Sequence, residues 1–224
     1  MNLVTFAGPP SSGKTSVIIK TIEALKQRLL SVGLLKFDCL YTDDDILYER
    51  ENIKVKKALS NSLCPDHYFA NTIEDFVKWG VSAKFDLLIT ESAGLCNRCS
   101  PFIVGVKAIC VVDNLSGINT PKKIGPMLTT ADVIVITKGD VVSQAEREVF
   151  ASKVNAVNPA ATIIHVNGLN GQGAFELSTL IYDRNENIAT LKGKELRYDM
   201  PAALCSFCFG KKRLGDLKET PRRY

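Results

Sequence analysis

Gly8-Pro9-Pro10-Ser11-Ser12-Gly13-Lys14-Thr15 decides the fold. Two glycines spaced by four residues precede Lys and Thr, and the stretch lies between an apolar run at residues 2–6 and a helical pattern. Glycine lets the backbone curl so that successive N–H groups point inward at phosphate oxygens. The start of the next helix adds partial positive charge. Lys14 is placed to reach the β- and γ-phosphates, and Thr15 offers a hydroxyl to Mg²⁺. Gly8, Ser11, Ser12, Gly13, Lys14, Thr15 and Ser16 are the candidate phosphate-binding residues, with Lys14 and Thr15 also candidate catalytic groups.

Outward from this loop, short apolar runs alternate with helical patterns. Residues 2–6, 34–37, 86–90, 108–112, 133–137 and 162–166 are near-continuous apolar runs, as strands buried on both faces of a parallel sheet require. Residues 15–30 place Ile18, Ile22, Leu25 and Leu29 on one stripe, and 144–154 and 176–182 read the same way. The alternation predicts an α/β fold: a mostly parallel twisted sheet flanked by helices, built on right-handed crossovers around the phosphate loop, a P-loop NTPase. The composition shifts near Leu196. The expected organisation is a nucleotide-binding domain over residues 1–195 and a short, Cys-containing, basic appendage over 196–224.

A phosphate site with Mg²⁺ also needs an acid at the end of a neighbouring strand. Glu91-Ser92-Ala93-Gly94 supplies one directly after the run at 86–90. Glu91 is the candidate Mg²⁺ carboxylate and Gly94 the candidate N–H donor near the γ-phosphate. Thr137-Lys138-Gly139-Asp140 is a T-K-x-D form of the N-K-x-D guanine motif, with Thr in place of Asn. A carboxylate at Asp140 accepts from the two guanine donors N1–H and N2–H₂. Adenine offers no such pair, so the nucleotide expected is GTP. Asn167, Gly168 and Leu169, after the last strand, are placed to close over the base.

The 224 residues are 46% hydrophobic and 23% charged, an ordinary globular balance that excludes a disordered chain or a coiled coil. Net charge is +4, and residues 209–224, with six basic and two acidic side chains, account for all of it. A neutral body argues against dedicated nucleic-acid binding. No apolar run approaches the ~20 residues of a membrane span, and no secretory signal is visible, so a soluble cytoplasmic protein is expected. Seven cysteines are many for such a chain. Cys96–Cys99 and Cys205–Cys208 form two C-x-x-C pairs, for which a metal or redox role fits better than a disulfide framework. Whether the two pairs make one site or two is open at this level, as is a plain pair of thiols. Cys39 and Cys110, at or within strands, read as inert core residues.

With these residues in place, about residues 1–185 resemble the urease- and nickel–iron-hydrogenase-maturation GTPases of the UreG/HypB type. These sit within the dimerising P-loop class that also holds the nitrogenase iron protein. The resemblance rests on Tyr41-Thr42-Asp43-Asp44-Asp45, Glu91-Ser92-Ala93-Gly94 with Ser100-Pro101, and Val111-Val112-Asp113. It also rests on Lys122-Lys123-Ile124-Gly125-Pro126-Met127 and, most tellingly, on Cys64-Pro65-Asp66-His67, which looks like the family's Cys-Pro-His motif ahead of a helix. The resemblance implies a homodimer in which Cys64 and His67 of two subunits build a metal site that GTP loading assembles. Asp66 is inserted relative to that motif, so His67 is placed differently; a buried Cys64 and a surface His67 is the plainer alternative. The resemblance also suggests Asp38 as a Mg²⁺-binding or water-positioning carboxylate, and Asp113 reads as a structural carboxylate at a sheet end.

The Cys96–Cys99 pair is foreign to the UreG and HypB pattern. In the iron protein a nearby cysteine from each subunit holds a shared four-iron cluster; two copies of Cys96 and Cys99 would supply four thiolates for such a cluster or for Zn²⁺. The expected function is therefore a slow GTPase that uses Mg²⁺ and couples nucleotide-dependent homodimerisation to delivering Ni²⁺, Zn²⁺ or a metallocluster to a client metalloenzyme. Its candidate cargo ligands are Cys64, His67, Cys96, Cys99, Cys205 and Cys208. An iron–sulfur protein that gates electron transfer, and a metal-free GTPase switch, are the alternatives.

Overall fold

The computed structural model describes residues 1–61, 63–200 and 214. Among these residues seven strands run β1 (Asn2–Ala7), β2 (Val32–Asp38), β3 (Lys54–Leu59), β4 (Leu87–Ser92), β5 (Lys107–Asp113), β6 (Val133–Thr137) and β7 (Thr162–His165). Six α-helices intervene among the same residues: α1 (Lys14–Gln27), α2 (Asp44–Arg50), α3 (Pro65–Ser82), α4 (Pro126–Thr129), α5 (Gln144–Val157) and α6 (Ala174–Ile181). The strands form one sheet in the order β3-β2-β4-β1-β5-β6-β7, and every neighbouring pair is parallel. The expected α/β sheet is present, with strand ends shifted by a residue or two.

Strand alternation sorts the core. Val4, Phe6, Leu34, Ile89 and Val111 face Val17, Ile18, Ile22 and Leu25 of α1 and Leu177 of α6. Leu3, Leu35, Phe37 and Leu88 face Phe69, Ile73 and Val77 of α3. Cys110, Val112, Ile134 and Ile136 pack on Phe150 and Val154 of α5. Burying each Leu, Ile or Phe contributes about 1.5–3 kcal/mol, which is why a sheet covered on both faces reads as unbroken apolar runs. α5 begins with a capping box, Ser143 Oγ accepting from Glu146 N while the Glu146 carboxylate accepts from Ser143 N.

Two elements depart from the apolar-run pattern. Strand β3 is Lys-Val-Lys-Lys-Ala-Leu, an edge strand whose lysines are exposed. Charged edges of this kind discourage pairing with another sheet. The short helix α2 begins at the acidic run 43–45 and buries only Tyr48.

Beyond α6 the described residues return to the core. Ile188, Leu191, Leu196, Met200 and Leu214 join the cluster on the α3 face. Leu196 bridges to Ile103 in an antiparallel pair. Arg197 donates to the carbonyls of Ile103, Val106 and Thr130 and to both carboxylate oxygens of Asp132 at 2.7 and 2.8 Å. Cys205, Cys208 and the basic residues of the tail lie outside the described residues. No helix among the described residues is long and apolar enough to cross a membrane.

Candidate functional site

Strand β1 sits at the centre of the sheet, between β4 and β5, and the loop from Gly8 to Gly13 leaves its C-terminal end to start α1. That is the place where open parallel sheets bind ligands. Gly8 and Gly94 fix how close the loops approach. Gly94 has a positive φ, and a Cβ there would run into the Gly8 carbonyl; a Cβ on Gly8 would run into the Val111 carbonyl. Lys14 curls back over the loop, its Nζ donating to Gly8 O at 3.0 Å and Pro9 O at 2.8 Å. Burial lowers its pKa from the ordinary lysine value, with Glu91 only partly compensating.

A cleft of 390 Å³ opens over the loop. Ser11, Gly13, Lys14, Thr15 and Ser16 line one side of it, and Asp38, Asp44 and Glu91 the other. Thr15 Oγ1 donates to Glu91 Oε1 at 3.0 Å and lies 3.3 Å from Asp44 Oδ2. Glu91 is fully buried, and its second oxygen accepts from Tyr48 OH at 2.7 Å. Lys36 pairs in register with Glu91 across β2 and β4. Its Nζ lies 3.0 Å from Glu91 Oε1 and 3.8 Å from Asp38 Oδ2, and it also pairs with Asp44. Burial works against the ammonium, but Glu91 and Asp44 outweigh it and the Lys36 pKa stands above its ordinary value. The Tyr48 hydroxyl is pushed well above its ordinary value by burial and by Glu91. Hydroxyl and carboxylate oxygens of this kind suit a hard cation such as Mg²⁺.

A second cavity of 300 Å³ adjoins the first, and Gly13 and Ser16 line both. Thr137, Lys138, Asp140, Asn167, Gly168 and Leu169 also line it, so the T-K-x-D stretch and the loop after β7 lie around one space. The T-K-x-D stretch is anchored to the phosphate loop. Thr137 Oγ1 donates to Ser12 O at 2.7 Å, and Lys138 Nζ donates to Ser11 O at 2.7 Å. Asp140 is exposed at the rim. Asp113 accepts from Leu115 N at 3.0 Å at the end of β5 and pairs with Lys138 at 3.5 Å, a structural use of its carboxylate.

On the opposite face of β4, a sulfur-bearing group meets the first turn of α3. The Sγ atoms of Cys64 and Cys99 and a carboxylate oxygen of Asp66 all lie within 4.8 Å of one another. The hydrogen bond with Cys99 lowers the Cys64 thiol below its ordinary value against the effect of burial. Ser92 Oγ donates to Asp66 Oδ1 at 2.8 Å. Two thiols with a carboxylate suit Zn²⁺ or Ni²⁺. His67 is buried on α3 and Cys96 is half-buried, and neither belongs to this group of three. Cys39 is half-buried rather than a core residue, because it follows the last residue of β2 as the chain leaves the sheet. Cys110 is fully buried, and burial pushes its thiol up to about 12.

The sequence reading assigned no role to Lys36, Asp44, Tyr48 or Asp66. A lysine inside the apolar strand Leu34–Leu35–Lys36–Phe37 was the available signal for the first. Asp66 read as an inserted residue, and its place beside two thiols depends on the packing of α3 against β4.

Residues 2–165 match the nucleotide-binding domain of the CobW/HypB/UreG family. The chain is 46% identical over 214 residues to MJ0120 of Methanocaldococcus jannaschii, covering 96% of this chain and 91% of that one. It is 30% identical over 151 residues to the urease accessory protein UreG 1 of Streptomyces griseus, covering 62% of each. Among solved structures, HypB from Helicobacter pylori in complex with nickel superposes with a TM-score of 0.64 over 84% of this chain and 92% of that one, at 16% identity. HypB from Archaeoglobus fulgidus gives 0.62 over 80% and 88%, at 22% identity. The central phosphate loop, the sheet order around it and the match across most of the domain place this chain in the CobW/HypB/UreG family.

Proposed function

We propose that the protein binds and hydrolyses GTP, dimerises when GTP is bound, and couples that cycle to handing a divalent metal, Ni²⁺ or Zn²⁺, to a client metalloenzyme. The observation that carries this reading is the position of two consecutive residues on β4. Glu91 reaches Thr15 in the phosphate cleft, and Ser92 reaches Asp66 in the sulfur group on the opposite face. A short segment also joins the two sites directly, from Glu91 through Gly94, which lies on the phosphate loop, to Cys99.

Lys14 and the loop N–H groups hold the phosphates, Lys138 and Asp140 read guanine, and Asn167, Gly168 and Leu169 cover the base. Thr15 and Glu91, joined by Asp38 and Asp44, hold Mg²⁺, which neutralises charge on the β- and γ-phosphates. Glu91 already accepts from Thr15 and Tyr48 and pairs with Lys36, so a cation that takes up its Oε1 rearranges partners on that oxygen. Cys64, Asp66 and Cys99 hold the cargo metal. Their mixed sulfur and oxygen set favours a divalent ion over a cluster that asks for thiolates alone. Leu95 lines the cleft and is 57% exposed, and Leu40 and Tyr41, 74% and 70% exposed, lie in the chain between the cleft residues Asp38 and Asp44; these exposed apolar side chains support a second copy docking there.

Size-exclusion chromatography with light scattering tests the cycle. The wild type is expected to shift to a dimer with a non-hydrolysable GTP analogue and Mg²⁺, and Lys14→Ala to remain unshifted. An equal dimer fraction with and without nucleotide in the wild type contradicts the reading.

A further inference from the structure

We propose that Lys36 is a built-in counter-ion that occupies the divalent-cation position of the nucleotide-free chain and gives it up when nucleotide arrives with Mg²⁺. The proposal rests on the nucleotide and Mg²⁺ reading above and assigns a role within that site to a residue that the motifs leave aside.

The position of the ammonium is the starting point. The Lys36 side chain is 4% exposed and that of Glu91 1% exposed. Lys36 Nζ meets the same Glu91 oxygen, Oε1, that accepts from Thr15 Oγ1. It also meets Asp44 Oδ2, the second oxygen beside Thr15, and reaches toward Asp38. The P-loop hydroxyl and the three carboxylates suited to a hard cation are therefore gathered around a lysine. A buried Glu91 without a cation would be poorly tolerated, and Lys36 supplies that cation from within the chain.

Chain geometry explains why this lysine can serve. Lys36 and Glu91 are register partners on adjacent parallel strands, on the face that looks toward α1. Lys36 follows the buried Leu34 on this face of β2, and it lines the cleft together with Lys14, Asp38, Asp44 and Glu91. A lysine is displaced by rotating its own side chain, and the polyphosphate in the same cleft offers the ammonium new anionic partners. The consequence is a gate: divalent cation alone competes with a tethered ammonium, whereas cation carried in with nucleotide does not. Lys36 is a positioning residue on this view, since it acts by holding Glu91, Asp44 and Asp38 in place for the incoming ion.

Mn²⁺ titration of nucleotide-free protein, followed by electron paramagnetic resonance and counting only Mn²⁺ released by excess Mg²⁺, reads this directly. Lys36→Met, neutral and of similar length, is expected to bind Mn²⁺ at least about tenfold more tightly than wild type, and Lys36→Arg to restore weak binding. A purely structural ion pair would lower stability in Lys36→Met without raising metal affinity. Equal Mn²⁺ affinity in wild type and folded Lys36→Met overturns the proposal. The wild type tests it as well: its Mn²⁺ affinity should rise at least about a hundredfold with a bound GTP analogue, and tight Mn²⁺ binding without nucleotide overturns it even if Lys36→Met does not fold. Nucleotide affinity measured on the same samples separates the two levels. A wild type that binds no guanine nucleotide defeats the proposed function, whereas intact nucleotide binding with an unmoved Mn²⁺ affinity defeats only the role of Lys36.

Discussion

Ser92 Oγ donates a 2.8 Å hydrogen bond to Asp66 Oδ1, and both residues are buried. Asp66 lies in the first turn of α3, among Cys64 and Cys99, while the residue before Ser92 is the carboxylate that meets Thr15 in the phosphate cleft. A displacement of the β4 end therefore acts on both faces of the sheet at once. Strands packed on both sides do not deform continuously, so such a displacement moves between discrete positions.

Base recognition is testable at Asp140. Asp140→Asn should weaken GTP binding about 10- to 100-fold, the cost of losing a charged acceptor for the guanine donors, and should improve binding of xanthosine triphosphate. Competition against a fluorescent nucleotide checks it. Unchanged affinity for both nucleotides would remove Asp140 from the base site.

Cysteine reactivity should divide the thiols. At neutral pH, Cys64, whose thiol is lowered by Cys99, is expected to react with iodoacetamide at least about tenfold faster than the fully buried Cys110, whose pKa is about 12. Stoichiometric Zn²⁺ should protect Cys64. Peptide mapping by mass spectrometry reads both. Similar rates at the two thiols, or labelling of Cys64 unaffected by Zn²⁺, would contradict the assignment.

The described segment beyond α6 contributes to stability through Arg197. Its hydrogen bonds, together with the one from Ala108 N, outweigh burial and hold the Asp132 carboxyl below its ordinary value. Arg197→Ala should cost about 2 kcal/mol, a modest figure because the Asp132 side chain is 34% exposed. A carboxyl whose folded pKa is depressed contributes fully above its unfolded value and loses that contribution as pH falls through the folded one. The gap in urea midpoint between wild type and Arg197→Ala should thus be constant near neutrality and narrow below about pH 4. A gap that widens on acidification would contradict the linkage.

Much of the fold was legible in the sequence because burial on both faces leaves a simple mark. Leu3–Val4, Leu34–Leu35, Leu87–Leu88–Ile89 and Val133–Ile136 contribute to two faces of one sheet, so each run is apolar throughout. Strand β3 was illegible by the same logic, since an edge strand with Lys54, Lys56 and Lys57 has no apolar run to show. The phosphate loop could be read because its glycines answer to backbone geometry, a local demand. The cluster around Glu91 could not, because Lys36, Asp44 and Tyr48 come together only through strand register and the placement of α2. Asp66 was hidden for a similar reason: one residue in the first turn of a helix changes which side chain meets Cys99, and no spacing rule conveys that.

Coupling between the two faces of β4 is the central claim, and Zn²⁺ affinity measured by chelator competition tests it most directly. Protein loaded with a non-hydrolysable GTP analogue and Mg²⁺ is expected to bind Zn²⁺ at least about fivefold more tightly than nucleotide-free protein. The same Zn²⁺ affinity in both states would contradict it.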